Sequence, residues 1–570
     1  MQHLTEMLRR ALNLQQQGQF VEAEKLYDKV LKINANHFDA LHLLGLLKHQ
    51  QGDSAQALGL IEAALKINPN YPDALLNYGT VLSALSRHEE ALGYYDRILA
   101  ANPYSPTALN NRGNALSSLR RHEEALACYD RVLAFKPDDA KTLANRANAL
   151  RDLERVEEAV ACFKRVLALR PDDTSMLNNC GNTLALLNRP DEALACFDRA
   201  VQLDPNDAET YHNRGNALLA AERHEEALAC FDQALALKPD HAKCHCDIGL
   251  ARLALEDFAQ GWKKYEWRLK TAAVKPRDFA QPRWNGEYVK GTLLVWGEQG
   301  LGDEILYASM VPDLAGHADA VVFEVEPRLV TLCARSFPGV RVIGRGEQLP
   351  ADITAQSPLA SLGQYLRPNL EKFPRREGGY LKADRERTAG LRRRLSPNGE
   401  PVIGLSWVSK NFIVGQMKTA RLSDFEPALR LPGCRLIDLQ YGDTLAEREA
   451  VKRATGLVVE RLDDIDNTND LDGLAALISA CDLVITVSNT TAHMAGALGK
   501  PAIVFVPSGQ GRLWYWFHER DDSPWYARLR IKRQSKGQRW ADVIGSAAEE
   551  ISAFVGELKP SVGVSAECSH

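Results

Sequence analysis

Two short segments carry residue types in an order suited to binding and reacting with an anionic ligand. The first is Gly300-Leu301-Gly302-Asp303, placed after the apolar run at 292–296 and before a helical pattern at 304–314. Asp303 is therefore expected at the C-terminal end of a strand and the N-terminal end of a helix, where open α/β sheets receive ligands. Gly300 and Gly302 would let a ligand approach the backbone closely. A carboxylate at a helix N-terminus is favoured, so Asp303 is expected to have a low pKa and to be a weak base that relies on positioning. The second segment is Ser488-Asn489-Thr490-Thr491-Ala492-His493, between a buried strand at 483–487 and a helix. The N–H groups of Asn489, Thr490 and Thr491 at that helix start suit an anion, and a nucleotide diphosphate is the natural guest.

Other chemistry-bearing residues have plainer readings. Cys128, Cys162, Cys196 and Cys230 recur every 34 residues and read as small buried hydrophobes. His88, His122 and His224 fall in turns between helices and read as surface residues. Cys244-His245-Cys246 has no second ligand pair nearby and is read as helix rather than zinc site. Asp470-Leu471-Asp472 reads as a helix N-cap and Asp463-Asp464-Ile465-Asp466 as a loop, so no metal is expected. The aromatic segment at 513–530 is suited either to stacking on a ligand or to packing between lobes.

The elements that must position these residues divide the chain in two. From Gly291, short apolar strands at 292–296, 320–325, 340–343, 402–407, 435–439, 483–487 and 502–506 alternate with helices. Such alternation implies parallel sheets covered on both faces. Ser396-Pro397-Asn398-Gly399 separates an N-terminal lobe at 291–395 from a C-terminal lobe at 396–557, followed by a disordered tail at 558–570. Two such lobes facing across a cleft describe the GT-B architecture of glycosyltransferases.

The first half repeats. Prolines stand at 69, 103, 137, 171, 205 and 239, each gap 34 residues. Gly45, Gly79, Gly113, Ala147, Gly181, Gly215 and Gly249 keep the same step, as do Ala23, Ala57, Ala91, Ala125, Ala159, Ala193 and Ala227. This resembles tetratricopeptide repeats, in which 34 residues fold as two antiparallel helices. The resemblance implies an α-solenoid over 1–275, with repeats starting at 4, 38, 72, 106, 140, 174 and 208 and a capping unit at 242–275. The linker is expected at 276–290, punctuated by Pro276, Pro282 and Gly286.

One polar series resists a core explanation. Asn77, Asn111, Asn145, Asn179 and Asn213 occupy the sixth position of successive repeats, with Asn114, Asn148, Asn182 and Asn216 three residues on. Asparagine is a poor helix former, so amides recurring inside helices need a reason. A ladder of them can hold the backbone of an extended peptide; alternatively they tie adjacent repeats together. A comparable ladder is known in protein O-linked N-acetylglucosamine transferases.

The α/β segments resemble family 9 glycosyltransferases, the heptosyltransferase group, and especially the bacterial subgroup fused to tetratricopeptide repeats. The resemblance runs from about residue 292 to 544 and includes Gly261-Trp262 at the seam. It implies Asp303 as the base that takes the acceptor proton, and Asn489, Thr490, Thr491 and His493 as ligands of the donor diphosphate. It further implies a basic residue for the leaving phosphate, which falls on Lys418. Two positions depart from the family: Ser488 stands where Asp is usual, and Lys418 where the subgroup usually has Arg.

Composition bounds the partners. With 69 Lys and Arg against 74 Asp and Glu, the net charge is −5, which argues against a chain held on nucleic acid by bulk charge. No run of 18 apolar residues spans a membrane, no secretory leader is visible, and an odd 11 cysteines suit a reducing, cytoplasmic setting. The sequence thus points to a metal-independent inverting glycosyltransferase without a cofactor, using a nucleotide-sugar as substrate and a protein or peptide acceptor held by the repeats. The rivals are a repeat scaffold with an inactive transferase-like region, and a transferase acting on a surface carbohydrate.

Overall fold

The computed structural model describes residues 2–272, 274–275, 277–409 and 415–558. Of the expected tail, Leu558 closes the helix Ala548–Leu558; residues 559–570 and Pro276 lie outside the described residues. The chain forms two compact units, Met1–Asn206 and Asp207–His570.

In the first unit, helices pair as hairpins from Gln2–Gln16 through Pro190–Leu203, each hairpin stacking on the next as a solenoid. The 34-residue series are the contact points. A Cβ built on Gly79 would lie 2.7 Å from the Tyr95 ring, on Gly113 2.5 Å from Tyr129, and on Gly181 2.7 Å from Phe197. The small residue of the first helix therefore admits the large ring of the second, and the inner alanines 23, 57, 91, 125, 159 and 193 are fully buried beside them. Between the two helices the chain passes through the left-handed region at Gly18, Gly52, Ser86, Arg120, Glu154 and Asn188. Ser105, Asp139 and Asp173 cap the following helices, each accepting a backbone N–H from three residues on.

The second unit opens with four more helices, Ala208–Ala220, His224–Leu237, Ala242–Ala254 and Phe258–Tyr265. The last carries Trp262, whose indole N–H donates to the Arg367 carbonyl at 2.9 Å and whose ring covers Gly363, where a Cβ would lie 2.5 Å away. The aromatic helix at the seam thus docks on the α/β part rather than on another repeat.

Two sheets follow. The first contains β1 (Val289–Trp296), β2 (Ala318–Val325), β3 (Arg341–Gly344) and β4 (Ile353–Pro358), all parallel in the order β3-β2-β1-β4. The second contains β5 (Val402–Ser406), β6 (Arg435–Asp438), β7 (Val459–Glu460), β8 (Leu483–Val487), β9 (Ala502–Val506), β10 (Asp522–Ser523) and β11 (Tyr526–Arg533). Its order is β10-β11-β9-β8-β5-β6-β7, parallel except for the β10–β11 pair. The parallel α/β expectation holds. β4, β7, β10 and β11 were not expected: β4 is half polar, β7 and β10 are two residues each, and β11 alternates buried residues with Arg and Lys.

Strand order locates the ligand end of each sheet. In the first, direction reverses between β1 and β4; in the second, between β5 and β8. Loops leaving strands at such switch points form crevices. The β1 loop carries Asp303, the β5 loop leads to Lys418, and the β8 loop carries Asn489.

Candidate functional site

A cavity of about 1040 Å³ is lined by Gly300, Gly302, Asp303, Lys418, Ser488, Asn489, Thr490, Thr491 and His493. Every residue singled out in the C-terminal half therefore meets at one place, although they come from three loops on two sheets. Helices Ala208–Ala220 and Ala242–Ala254 close another side through Asn216, Asp247 and Leu250.

The ionisation of Asp303 differs from the expectation. Burial pushes its carboxyl up to about 6, with Glu298 adding to the rise, while Lys418 and the Gly300 N–H hold it down. Desolvation outweighs the helix dipole, so Asp303 is a stronger base than its helix position alone implies. Lys418 is only 3% exposed. Burial lowers its ammonium to about 8, against the pull of Asp303. Between these values the cavity holds one carboxylate and one ammonium.

His493 is buried and lowered to about 3 by desolvation and by Lys418, so it is neutral at physiological pH. Its Nδ1 lies 2.8 Å from the Tyr526 hydroxyl and its ring stacks on Trp516, centroids 5.3 Å apart. A Cβ on Gly302 would lie 3.0 Å from the imidazole. The glycine expected to admit a ligand instead admits His493, which brings helix Leu301–Ala308 against helix Thr490–Ala497. Gly300 has open space, met only by Asp303 at 3.5 Å.

The β8 turn divides its labour. Asn489 caps the helix: its Oδ1 accepts from the Ala492 N–H at 3.3 Å, and its Nδ2 donates to Ser406 Oγ at 2.8 Å. Thr491 Oγ1 likewise lies 3.3 Å from Ser406 Oγ. These side chains fasten β8 to β5, leaving the helix start and its N–H groups as the anion-facing feature. Ser488 is buried, and its Oγ accepts from the Trp516 indole at 2.7 Å.

Some lining residues escaped the sequence reading. Arg512 follows β9 in Gly509-Gln510-Gly511-Arg512, a strand-then-glycine signal of the same kind as the β1 loop. Its guanidinium donates to Glu222 at 2.8 Å and lies 3.1 Å from His518 Nδ1. Glu222 sits at a left-handed turn of the helical array, φ 62°. Glu298, one turn before Asp303, is held by Arg268 at 2.8 Å and by the Leu359 N–H at 3.0 Å. Tyr265 reaches Gln299 at 3.1 Å. Nothing in the spacing of residues 265, 268 and 298 announced these contacts.

The asparagine series stands apart from the cavity. Asn77 Nδ2 lies 2.9 Å from His42 Nε2, and Asn111 Nδ2 donates to Thr80 Oγ1 at 3.3 Å, so these two tie adjacent repeats. Asn145 keeps a buried Nδ2 without a hydrogen-bond partner. Asn179 and Asn213 are half-buried at the equivalent helical positions. His88, His122 and His224 are half-buried at the first residue of their helices rather than surface residues, and the His224 ring lies 4.1 Å from that of His518. Cys128, Cys162 and Cys230 are buried as expected, while Cys196 is half-buried. Asp470 caps Leu471–Ala480 through the Gly473 N–H at 2.8 Å, also as expected.

No helix among the described residues is long and apolar enough to cross a membrane. Protein FlbA of Caulobacter vibrioides is 32% identical over 320 residues, 52% of this chain and 52% of FlbA, so the chain spans about half the length of that curated relative. Among solved structures, a tetratricopeptide repeat protein from Parabacteroides merdae is 20% identical, covering 44% of this chain and 99% of its own at a TM-score of 0.37. PilF of Pseudomonas aeruginosa is 22% identical, covering 35% of this chain and 92% of its own at a TM-score of 0.32. Tetratricopeptide-repeat signatures match residues 8–74, 42–106 and 145–208 in one form and 106–139 and 208–241 in another. The N-terminal region is an array of tetratricopeptide repeats, a module suited to binding proteins or peptides.

Proposed function

We propose that the chain is an inverting glycosyltransferase of the GT-B type, which moves a sugar from a nucleotide-sugar donor to a protein acceptor recruited by the repeats. The observation that carries this reading is the cavity in which Asp303 of the β1 loop faces Lys418 and the start of helix Thr490–Ala497. Two α/β sheets that open onto one cleft at their switch points support the GT-B assignment. The Asn ladder, with an unpaired amide at Asn145, supports the peptide-binding role of the array.

In this reaction Asp303 takes the proton of the acceptor hydroxyl as its oxygen bonds to the anomeric carbon. The bond from that carbon to the diphosphate breaks on the opposite face, and its electron pair leaves with the nucleotide. Lys418 and the N–H groups of the helix start stabilise the developing phosphate charge. Those groups supply the positive charge for which other transferases use a divalent ion, so the proposed step is metal-independent. A base near pKa 6 is well matched to neutral pH.

Thermal unfolding with UDP, GDP, ADP and CMP tests the reading. A ligand at 100 times its Kd adds about 2.7 kcal/mol, so one nucleotide is expected to raise Tm clearly and to lose that effect in Thr490→Trp. No shift with any nucleotide would favour a repeat scaffold without transferase activity.

A further inference from the structure

The Cys244-His245-Cys246 run forms no ligand set: Cys244 Sγ lies 3.5 Å from the Phe231 carbonyl, while His245 stacks on Trp267, centroids 4.0 Å apart. A different triad assembles nearby. Glu209 and His212 lie three residues apart on helix Ala208–Ala220, hence on one face, and His241 is the N-cap of helix Ala242–Ala254. One ligand atom from each lies within 4.8 Å of the others. His241 Nε2 is 3.1 Å from Glu209 Oε2, and His212 Nδ1 is 3.9 Å from Glu209 Oε1.

A second observation points to a ligand. His212 is 5% exposed, and its Nδ1 is buried without a hydrogen-bond partner. Its other ring nitrogen, Nε2, meets Asp247 Oδ2 at 2.7 Å. A carboxylate at that distance keeps the ring proton on Nε2, which leaves Nδ1 a bare lone pair turned toward Glu209. This is the carboxylate–histidine arrangement that orients imidazole on a metal ion. Asp247 is itself held by Asn216 Nδ2 at 3.2 Å. Tetrahedral donors at about 2.0–2.1 Å from an ion stand about 3.4 Å apart, a spacing already close for Glu209 and His241 and a small side-chain movement away for His212.

We propose that Glu209, His212 and His241 bind a divalent transition ion of the zinc class, with its fourth position open to solvent. The exposed Glu209 carboxylate provides the entry path. The ion clips the first helices of two successive repeats together. Asp247 and Asn216 also line the large cavity, so the ion stands one side chain away from it.

The test uses untagged, full-length protein stripped with chelator and titrated with Zn²⁺ alone in competition with a chromogenic indicator. One equivalent is expected, weakened at least tenfold in Glu209→Gln and lost in His212→Ala. Asp247→Asn should weaken uptake 10- to 100-fold, the usual cost of removing such a partner. Cys246→Ser should leave uptake unchanged. Because Glu209 is exposed, Glu209→Gln keeps the fold even if His212→Ala does not, and circular dichroism checks both. Absence of uptake by the wild-type chain, or wild-type affinity in Glu209→Gln, would overturn the proposal.

Discussion

Residues 2–206 and the α/β part of the second unit bury their apolar side chains in opposite ways. In the repeats the core is a series of small local clusters: one runs from Ala11 to Leu47, another from Ala140 to Val166. In the α/β part a single cluster runs from Leu253 to Ile531 and joins both sheets to the docking helix. A repeat contact such as Gly113 against Tyr129 lies sixteen residues apart, and the next repeat makes the same contact again. The site contact of Gly302 against His493 occurs once, between segments separated by the whole α/β region. Local contacts tolerate change one repeat at a time, whereas the cavity depends on all its segments together.

Four outcomes would break or sharpen that contrast. The largest concerns the unique site: Asp303→Asn should lower turnover about 10²- to 10⁴-fold while leaving nucleotide stabilisation intact, as loss of a general base does. Steady-state turnover beside a thermal shift checks it, and full turnover would show that Asp303 is not the base.

The second concerns packing. Gly113→Val pushes a branched side chain into the Tyr129 ring and should destabilise the first unit by about 1–3 kcal/mol in denaturant unfolding, without altering nucleotide binding. If nucleotide binding fell in parallel, the two regions would not be independent in the way their cores imply.

The third is a pH profile. Asp303 must be ionised to accept a proton, so kcat/KM should fall as pH drops through about 6. Lys418 must be protonated to meet phosphate, so it should also fall as pH rises through about 8. The stability consequence has the opposite sense to an ordinary paired carboxylate. The folded chain binds the Asp303 proton more tightly than the unfolded chain, so this residue's contribution declines as pH rises from the ordinary carboxylate range through about 6. Asp303→Asn should accordingly melt higher than wild type at pH 8 and alike at pH 4.

The smallest effect lies at a repeat turn. Ser86→Gly relieves a left-handed backbone at φ 61°, where the first two repeats already use Gly18 and Gly52. The gain should be under about 1 kcal/mol, because the freer unfolded chain offsets part of it. A loss of stability would mean that Ser86 contributes more than a turn.

The contrast also explains which features could be read in advance. The helical array was legible because one spacing repeats: the residue admitting a ring, the buried alanine and the terminal proline each recur at 34. Asp303, Asn489 and His493 were legible as loop residues between strand and helix, since turn chemistry is local. β11 was not, because its alternating Arg and Lys look like solvent-facing sequence until β9 pairs with it. Nor were Glu298 and Arg268, whose pairing rests on segments thirty residues apart.

The order of residues along the chain was enough to establish the 34-residue helical pairs, the change to parallel α/β structure, and the two loops that bear the site. Folding in three dimensions settled the rest. It made Asp303 a base near 6 by removing water that a helix end alone would leave, and kept His493 neutral by enclosing it among aromatic rings. It also turned the amides of Asn489 and Asn77 to structural use, and set His212, His241 and Glu209 side by side. Periodicity is a property of neighbours in sequence, whereas desolvation and donor geometry belong to neighbours in space.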